Sequence, residues 1–185
     1  EKLPTYYISN GIIYPPGLNL EQCSSEQTAR FKSTVAVASV EQREKCLDLT
    51  GGFGVDSYFF SRSFKETHYV EPNKNLLEIA RHNHQQLHAT DVLYFNTTAG
   101  EYLKSTKDFF DLIYLDPSRR SSGNRRVFSF VDCEPDLTNL LPTIFRKTNH
   151  LLVKAAPLLD LQQGLKSLTF VKQVFVIAVE NECKE

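Results

Sequence analysis

Apolar and polar positions fall in blocks along this chain, and the period changes from block to block. Short apolar runs at Lys45 to Leu49, Thr67 to Val70, Val92 to Asn96, Phe109 to Leu115, Leu151 to Lys154 and Gln173 to Val179 predict strands. Phe109 to Leu115 is apolar at nearly every position, the pattern of a strand covered on both faces. Between the runs, apolar residues recur at helical spacing over Val55 to Arg62, Asn75 to Leu87, Ala99 to Leu103, Leu137 to Lys147 and Leu161 to Leu168. In the second of these, Leu76, Leu77, Ile79, Ala80 and Leu87 form the inward stripe. Strand and helix in turn predict an α/β fold: a doubly wound, mostly parallel sheet with helices on both faces. Ligands bind such sheets outside the carboxyl ends of the strands, so chemistry is sought there.

Residues 1–44 precede the first strand and are expected to form an amino-terminal helical arm, with residues 45–185 as the core. Pro4, Pro15, Pro16 and Gly17 among aromatic residues predict an irregular start with short extended pieces. Ser24-Ser25-Glu26-Gln27 then reads as a helix start, with Ala29, Phe31, Val35 and Val37 carrying the helix to about Ser39. Tyr6, Tyr7 and Tyr14 are expected to pack the arm onto the core rather than stack on a base.

Composition narrows the function classes. A length of 185 residues fits one domain, and 41% hydrophobic with 23% charged residues excludes a disordered or collagenous chain. With 21 Lys and Arg against 22 Asp and Glu, a whole-surface grip on nucleic acid is excluded, though a local basic patch is not. No apolar run approaches bilayer length and no basic-then-apolar leader opens the chain, so no membrane association and a cytoplasmic location are expected. Cys23, Cys46, Cys133 and Cys183 match no zinc spacing and read as free thiols. His82, His84 and His88 lack acidic or thiol company, so they read as surface residues and no metal is expected. The chain has no methionine, not even an initiator, which points to a piece of a longer protein.

Two segments carry chemistry. Asp48-Leu49-Thr50-Gly51-Gly52-Phe53-Gly54-Val55-Asp56 lies between the first strand and its helix, where glycines allow close backbone approach to a ligand. Glu71 follows the second strand, where a carboxylate can accept hydrogen bonds from both ribose hydroxyls of an adenosine. A dinucleotide site requires G-x-G-x-x-G, but from Gly52 and Gly54 the third position is Ser57. Asp48 just before the turn would also repel a pyrophosphate, whereas it suits the cationic amino-acid end of S-adenosylmethionine. The second segment, Phe110 to Arg120, ends a strand at Asp116-Pro117 and runs into Arg119, Arg120, Arg125 and Arg126. Pro117 stiffens the exit and places Asp116 at the crevice; the four guanidinium groups suit phosphate contacts.

Asp48 to Asp56, Glu71 and Asp116 to Arg120 together resemble the class I S-adenosylmethionine-dependent methyltransferases. More narrowly, Glu21-Gln22, Thr28-Ala29-Arg30, the DLTGGFGVD turn, the DPSRR segment and Val153-Lys154-Ala155-Ala156-Pro157 resemble bacterial methyltransferases with a THUMP-like domain. The resemblance implies a Rossmann-like methyltransferase fold with S-adenosylmethionine as cofactor. Its contacts would come from Asp48, Thr50, Gly52, Phe53 and Gly54, from Glu71 and Pro72, and from Thr98 and Ala99 after the third strand. Asp116 and Pro117 would be the catalytic pair, and Arg119, Arg120, Arg125 and Arg126 would hold substrate. Thr50 departs from the family by replacing the first glycine of the turn, and only Glu180 to Glu185 remain for a seventh, antiparallel strand, which is therefore expected to be missing.

The Asp116-Pro117-Ser118-Arg119 loop is closer to that of some RNA uridine methyltransferases than to loops that bear an aromatic platform. Those enzymes use a cysteine beyond the fifth strand, where this chain has Lys154-Ala155-Ala156-Pro157. Direct methyl transfer to a heteroatom of an RNA base is thus expected, with RNA as partner. Methylation of a protein or small molecule, and a non-catalytic nucleoside-binding domain, are the competing readings.

Overall fold

The computed structural model describes residues 2–119, 130, 133–157, 160–168 and 170–185. Its centre is a five-stranded parallel sheet in the order β3-β2-β1-β4-β7. The strands are β1 Lys45–Asp48, β2 Glu66–Val70, β3 Val92–Phe95, β4 Leu112–Leu115 and β7 Leu151–Val153. Between them run α4 Val55–Ser61, α5 Lys74–Gln86, α6 Ala99–Ser105 and α7 Leu137–Ile144. β2 and β3 lie to one side of β1, and the chain then returns to place β4 and β7 on the other. The order therefore reverses between β1 and β4, and the crevice of such a sheet opens outside their carboxyl ends.

Strand side chains alternate between the two faces. Cys46, Leu112 and Tyr114 pack against Ala36, Phe60 and Phe64 on one face. Leu47, Leu49, Val70, Ile113 and Leu115 pack on the other face against Ala99, Tyr102, Leu103, Leu137 and Ile144. Such fully covered strands explain why their sequence reads as continuous apolar runs.

The arm departs from the irregular start expected of it. Pro4–Ile8 forms α1 and Gly17–Gln22 forms α2, ahead of α3 Glu26–Ser39. Glu26 from α3 caps α1: its carboxylate accepts the Thr5 N–H at 2.6 Å, the Thr5 hydroxyl at 2.7 Å and the Tyr6 N–H at 3.3 Å. A cap supplied from another helix satisfies orphan donors that no local residue could. Tyr6 is fully buried against Phe53 and Tyr58, and Tyr14 sits 6.1 Å from the Phe53 ring, while Tyr7 is exposed.

The predicted sixth strand does not join the sheet. Residues 171–177 are irregular, and Ala178–Val179 (β8) pairs antiparallel with Glu182–Cys183 (β9) in a two-stranded hairpin. Val174, Phe175 and Val176 have strand propensity, but they lie exposed and, among the described residues, pair with no strand that would realise it. A second short ladder, Ser118–Arg119 (β5) with Cys133–Glu134 (β6), lies just beyond β4 where only a loop was predicted. A last helix, α8, spans Leu161–Ser167. No helix among the described residues is long and apolar enough to cross a membrane.

Candidate active site

The glycine turn is held by contacts that each require a particular residue. Gly51 donates to the Val70 carbonyl at 2.9 Å, and a Cβ there would lie 2.2 Å from the buried Tyr69 ring. Gly52 and Gly54 take φ of 55° and 86°, the left-handed region that L side chains disfavour. A Cβ on Gly54 would also meet His84 Nε2 at 2.7 Å.

His84 corrects the surface reading of this histidine. It is fully buried, with Nε2 2.8 Å from the Gly54 carbonyl and Nδ1 2.8 Å from the Tyr94 hydroxyl. The carbonyl can only accept, so Nε2 carries the proton and Nδ1 accepts from Tyr94. Burial lowers its pKa to about 4, which keeps the ring neutral. His82 instead reaches the Gly11 carbonyl at 2.7 Å, and His88 is exposed.

Asp48, at the end of β1, is buried inside the turn. It accepts from the Thr50 N–H at 3.0 Å and from the Ser57 hydroxyl. Burial pushes its carboxyl up to about 7, with Asp56 and Asp116 adding to the rise and the Ser57 and Thr50 hydrogen bonds opposing it. Glu71 closes the other side of the turn. One oxygen accepts from Gly52 N–H at 3.0 Å and the other from Asn73 N–H at 2.8 Å. Burial raises its carboxyl against those two bonds. Each oxygen keeps a second lone pair for an incoming hydroxyl.

Thr50 joins the two informative segments. Its hydroxyl accepts the Asp116 N–H at 2.7 Å, so the β1 turn and the β4 loop are locked in register. The Thr50 in place of the family's first glycine thus supplies a cross-link. Asp116 is partly exposed and pairs through Oδ2 with Lys154 Nζ at 2.7 Å. Burial raises the Asp116 carboxyl, with Lys154 working against it. Burial likewise works against the Lys154 ammonium, but Asp116 and Asp56 hold it above its usual range. Among the described residues Asp116 Oδ1 makes no hydrogen bond, which leaves one oxygen to face a substrate. In the sequence, the signal for the role of Lys154 is a charged residue that ends an apolar strand.

The remaining predicted residues lie as follows. Phe53 is buried in the arm's aromatic cluster, and Pro117 is buried behind Asp116. Pro72 is exposed; its carbonyl and that of Glu71 both accept from the Asn96 side chain. Thr98 is the exposed N-cap of α6, in a capping box with Glu101, and Ala99 is buried beneath it. The Arg119 backbone lies in β5; Arg120, Arg125 and Arg126 fall outside the described residues. Asp56, closing the turn, belongs to a buried network that sequence reasoning missed. Lys32 Nζ lies 3.2 Å from Asp56, 2.5 Å from Glu185 and 2.8 Å from Ser24, which itself donates to Asp56. Burial would raise the Asp56 carboxyl, but Lys32, Lys154 and Ser24 hold it below its usual range. Among the described residues no group of three or more acidic, histidine or cysteine side chains could hold a metal.

With this geometry in place, likeness to other proteins becomes specific. The family described as "Conserved hypothetical protein 95" matches residues 27–141, the stretch that holds the glycine turn, Glu71 and Asp116. The chain belongs to that family. The crystal structure of a candidate methyltransferase from Porphyromonas gingivalis W83 is 34% identical, with a TM-score of 0.78 over 90% of this chain and 40% of the other. An uncharacterized RNA methyltransferase of Mycoplasma mobile is 29% identical over 111 residues, 60% of this chain and 31% of that protein. At fold level, a candidate methyltransferase from Streptococcus mutans solved with S-adenosylhomocysteine has a TM-score of 0.50 at 13% identity, over 64% of this chain and 65% of that one. The chain therefore spans well under half the length of its first two relatives. The fold is that of the class I S-adenosylmethionine-dependent methyltransferases.

Proposed function

We propose that this chain is the S-adenosylmethionine-binding core of a methyltransferase that modifies a base in RNA by direct transfer to a heteroatom. The observation that carries the reading is the hydrogen-bonded constellation at the sheet's switch point. There Glu71 grips the glycine turn, Thr50 ties that turn to Asp116, and Lys154 holds Asp116. The residues fit the cofactor: at Gly52 a Cβ would meet only the Thr50 carbonyl, at 3.7 Å, so the turn is open there, and the Glu71 oxygens can still accept ribose hydroxyls. When bound, S-adenosylmethionine supplies a sulfonium methyl open to in-line displacement.

This chain's residues then have alignment as their main task. Gly52 allows close approach, Gly54 lets the turn pack on His84, and Asp48 shapes the turn from within. The Thr98–Ala99 backbone stands after β3, where an adenine would lie. Asp116 Oδ1 accepts the N–H of the acceptor and turns its lone pair toward the methyl. Lys154 opposes the burial that raises the Asp116 carboxyl and so favours its anionic form. Beyond β7, where the uridine enzymes carry their cysteine, this chain has Lys154-Ala155-Ala156-Pro157, so direct attack by a heteroatom is favoured over a thiol adduct.

RNA is favoured by the arginine run after Asp116 and by the name of the Mycoplasma relative. Kinship to methyltransferases with a THUMP-like domain and a cytoplasmic site of action complete the reading. The test is incubation of the full chain with methyl-labelled S-adenosylmethionine, supplied in parallel with bulk cellular RNA and with RNase-treated extract. Label in RNA is expected. Label only in the RNase-treated protein fraction favours a protein substrate, and cofactor binding with no label in either favours a regulatory domain.

A further inference from the structure

A second feature lies at the opposite end of the sheet from the crevice. A cavity of about 550 Å³ opens between α3, α4 and the start of β1, lined by Arg30, Arg43, Arg62, Ser33, Ser63 and Phe59 among others. All three arginines are exposed, and among the described residues none has a carboxylate within ion-pair distance. Other cations nearby behave differently: Lys32 pairs with Asp56 and Glu185, Lys45 with Asp108 and Glu66, and Lys65 with Glu44. Glu26, the acid nearest in sequence to Arg30, spends both oxygens capping α1.

The serine and threonine hydroxyls of the wall are also engaged. Ser33 bonds the Phe59 carbonyl and Ser63, Thr34 bonds the Arg30 carbonyl, and Thr5 bonds Glu26. That leaves the guanidinium groups as the exposed side-chain donors open to a ligand. Arg30 is held in place over the Phe59 ring at 5.0 Å, so one of them is preset. Three unpaired guanidinium groups around one cavity make a site for phosphate oxygens, which accept two parallel N–H bonds from each fork.

We propose that this groove binds the phosphodiester backbone of the RNA at a distance from the reacting base. The inference rests on the RNA reading above. From Arg43 to Asp48 the chain runs five residues, about 16 Å of extended backbone. α4 runs from the glycine turn to its C-cap Arg62, about 10 Å of helix. The groove would therefore grip RNA away from the crevice, adding affinity and orientation without contributing to base choice.

The test compares the full chain with its Arg43→Gln/Arg62→Gln double variant, both positions being exposed. The probes are a fluorescent single-stranded RNA of mixed sequence and, separately, inorganic pyrophosphate, with thermal unfolding to confirm the fold. Two lost phosphate contacts lower the slope of log affinity against log salt by about 1.4, which is roughly 25-fold in affinity near 0.1 M salt. Arg43→Lys/Arg62→Lys should restore most of the slope. If the native chain binds RNA and the Gln variant binds it equally well with the same slope, this groove is not an RNA contact, and the RNA reading stands. If neither protein binds RNA while pyrophosphate binds only the native chain, the RNA reading itself fails and the groove serves a free phosphorylated compound instead.

Discussion

Acidification should loosen the glycine turn through His84. The folded-state pKa of about 4 lies below the ordinary 6.5, so between these values the unfolded chain binds a proton that the folded chain refuses. Its contribution is fully present above 6.5 and is lost as pH falls toward about 4. The gap of about 2.5 units, at 1.36 kcal/mol per unit, corresponds to about 3 kcal/mol. Asp48 titrates nearby with the opposite sign, so a single pH curve would mix the two. Comparing the native chain with His84→Gln removes that overlap, because Asp48 is common to both. The assay is urea unfolding of each protein at neutral pH and near pH 4. The stability advantage of the native chain should shrink by about 3 kcal/mol on acidification. An advantage that stays constant across that range would mean that the ring is not held neutral against Gly54 and Tyr94.

Asp48 gives the converse expectation. Its folded pKa of about 7 exceeds the ordinary 3.8, so the native chain loses stability as pH rises through that window. Asp48→Asn should flatten this loss, by at most about 4 kcal/mol, in the same unfolding assay; an unchanged slope would contradict the burial argument. Lys154→Met should drive the Asp116 carboxyl still higher and move the acidic limb of the pH profile of methyl transfer upward, whereas Lys154→Arg should not. A profile unmoved by Lys154→Met would remove Lys154 from the positioning role.

The central sheet was legible because its signals are local. Apolar runs bounded by turn residues marked β1, β2, β3, β4 and β7, and the glycines of the turn stand where positive φ and the Tyr69 ring require them. What escaped depends on residues far apart in sequence. The cap on α1 comes from Glu26, twenty-one positions from Thr5, and the bond that locks the site joins Thr50 to Asp116 across sixty-six. His84 sits on an amphipathic helix, where a polar ring reads as surface until Gly54 and Tyr94 are seen to satisfy both its nitrogens. Val174 to Val176 shows the opposite error: strand propensity without a partner strand among the described residues.

The central claim is that the turn and Glu71 form a nucleoside site for S-adenosylmethionine. Calorimetric titration of the full chain with S-adenosylhomocysteine, and separately with NAD, tests it most directly. The account predicts saturable binding of S-adenosylhomocysteine that weakens strongly in Glu71→Ala, with no binding of NAD; tight NAD binding with none of S-adenosylhomocysteine would contradict it.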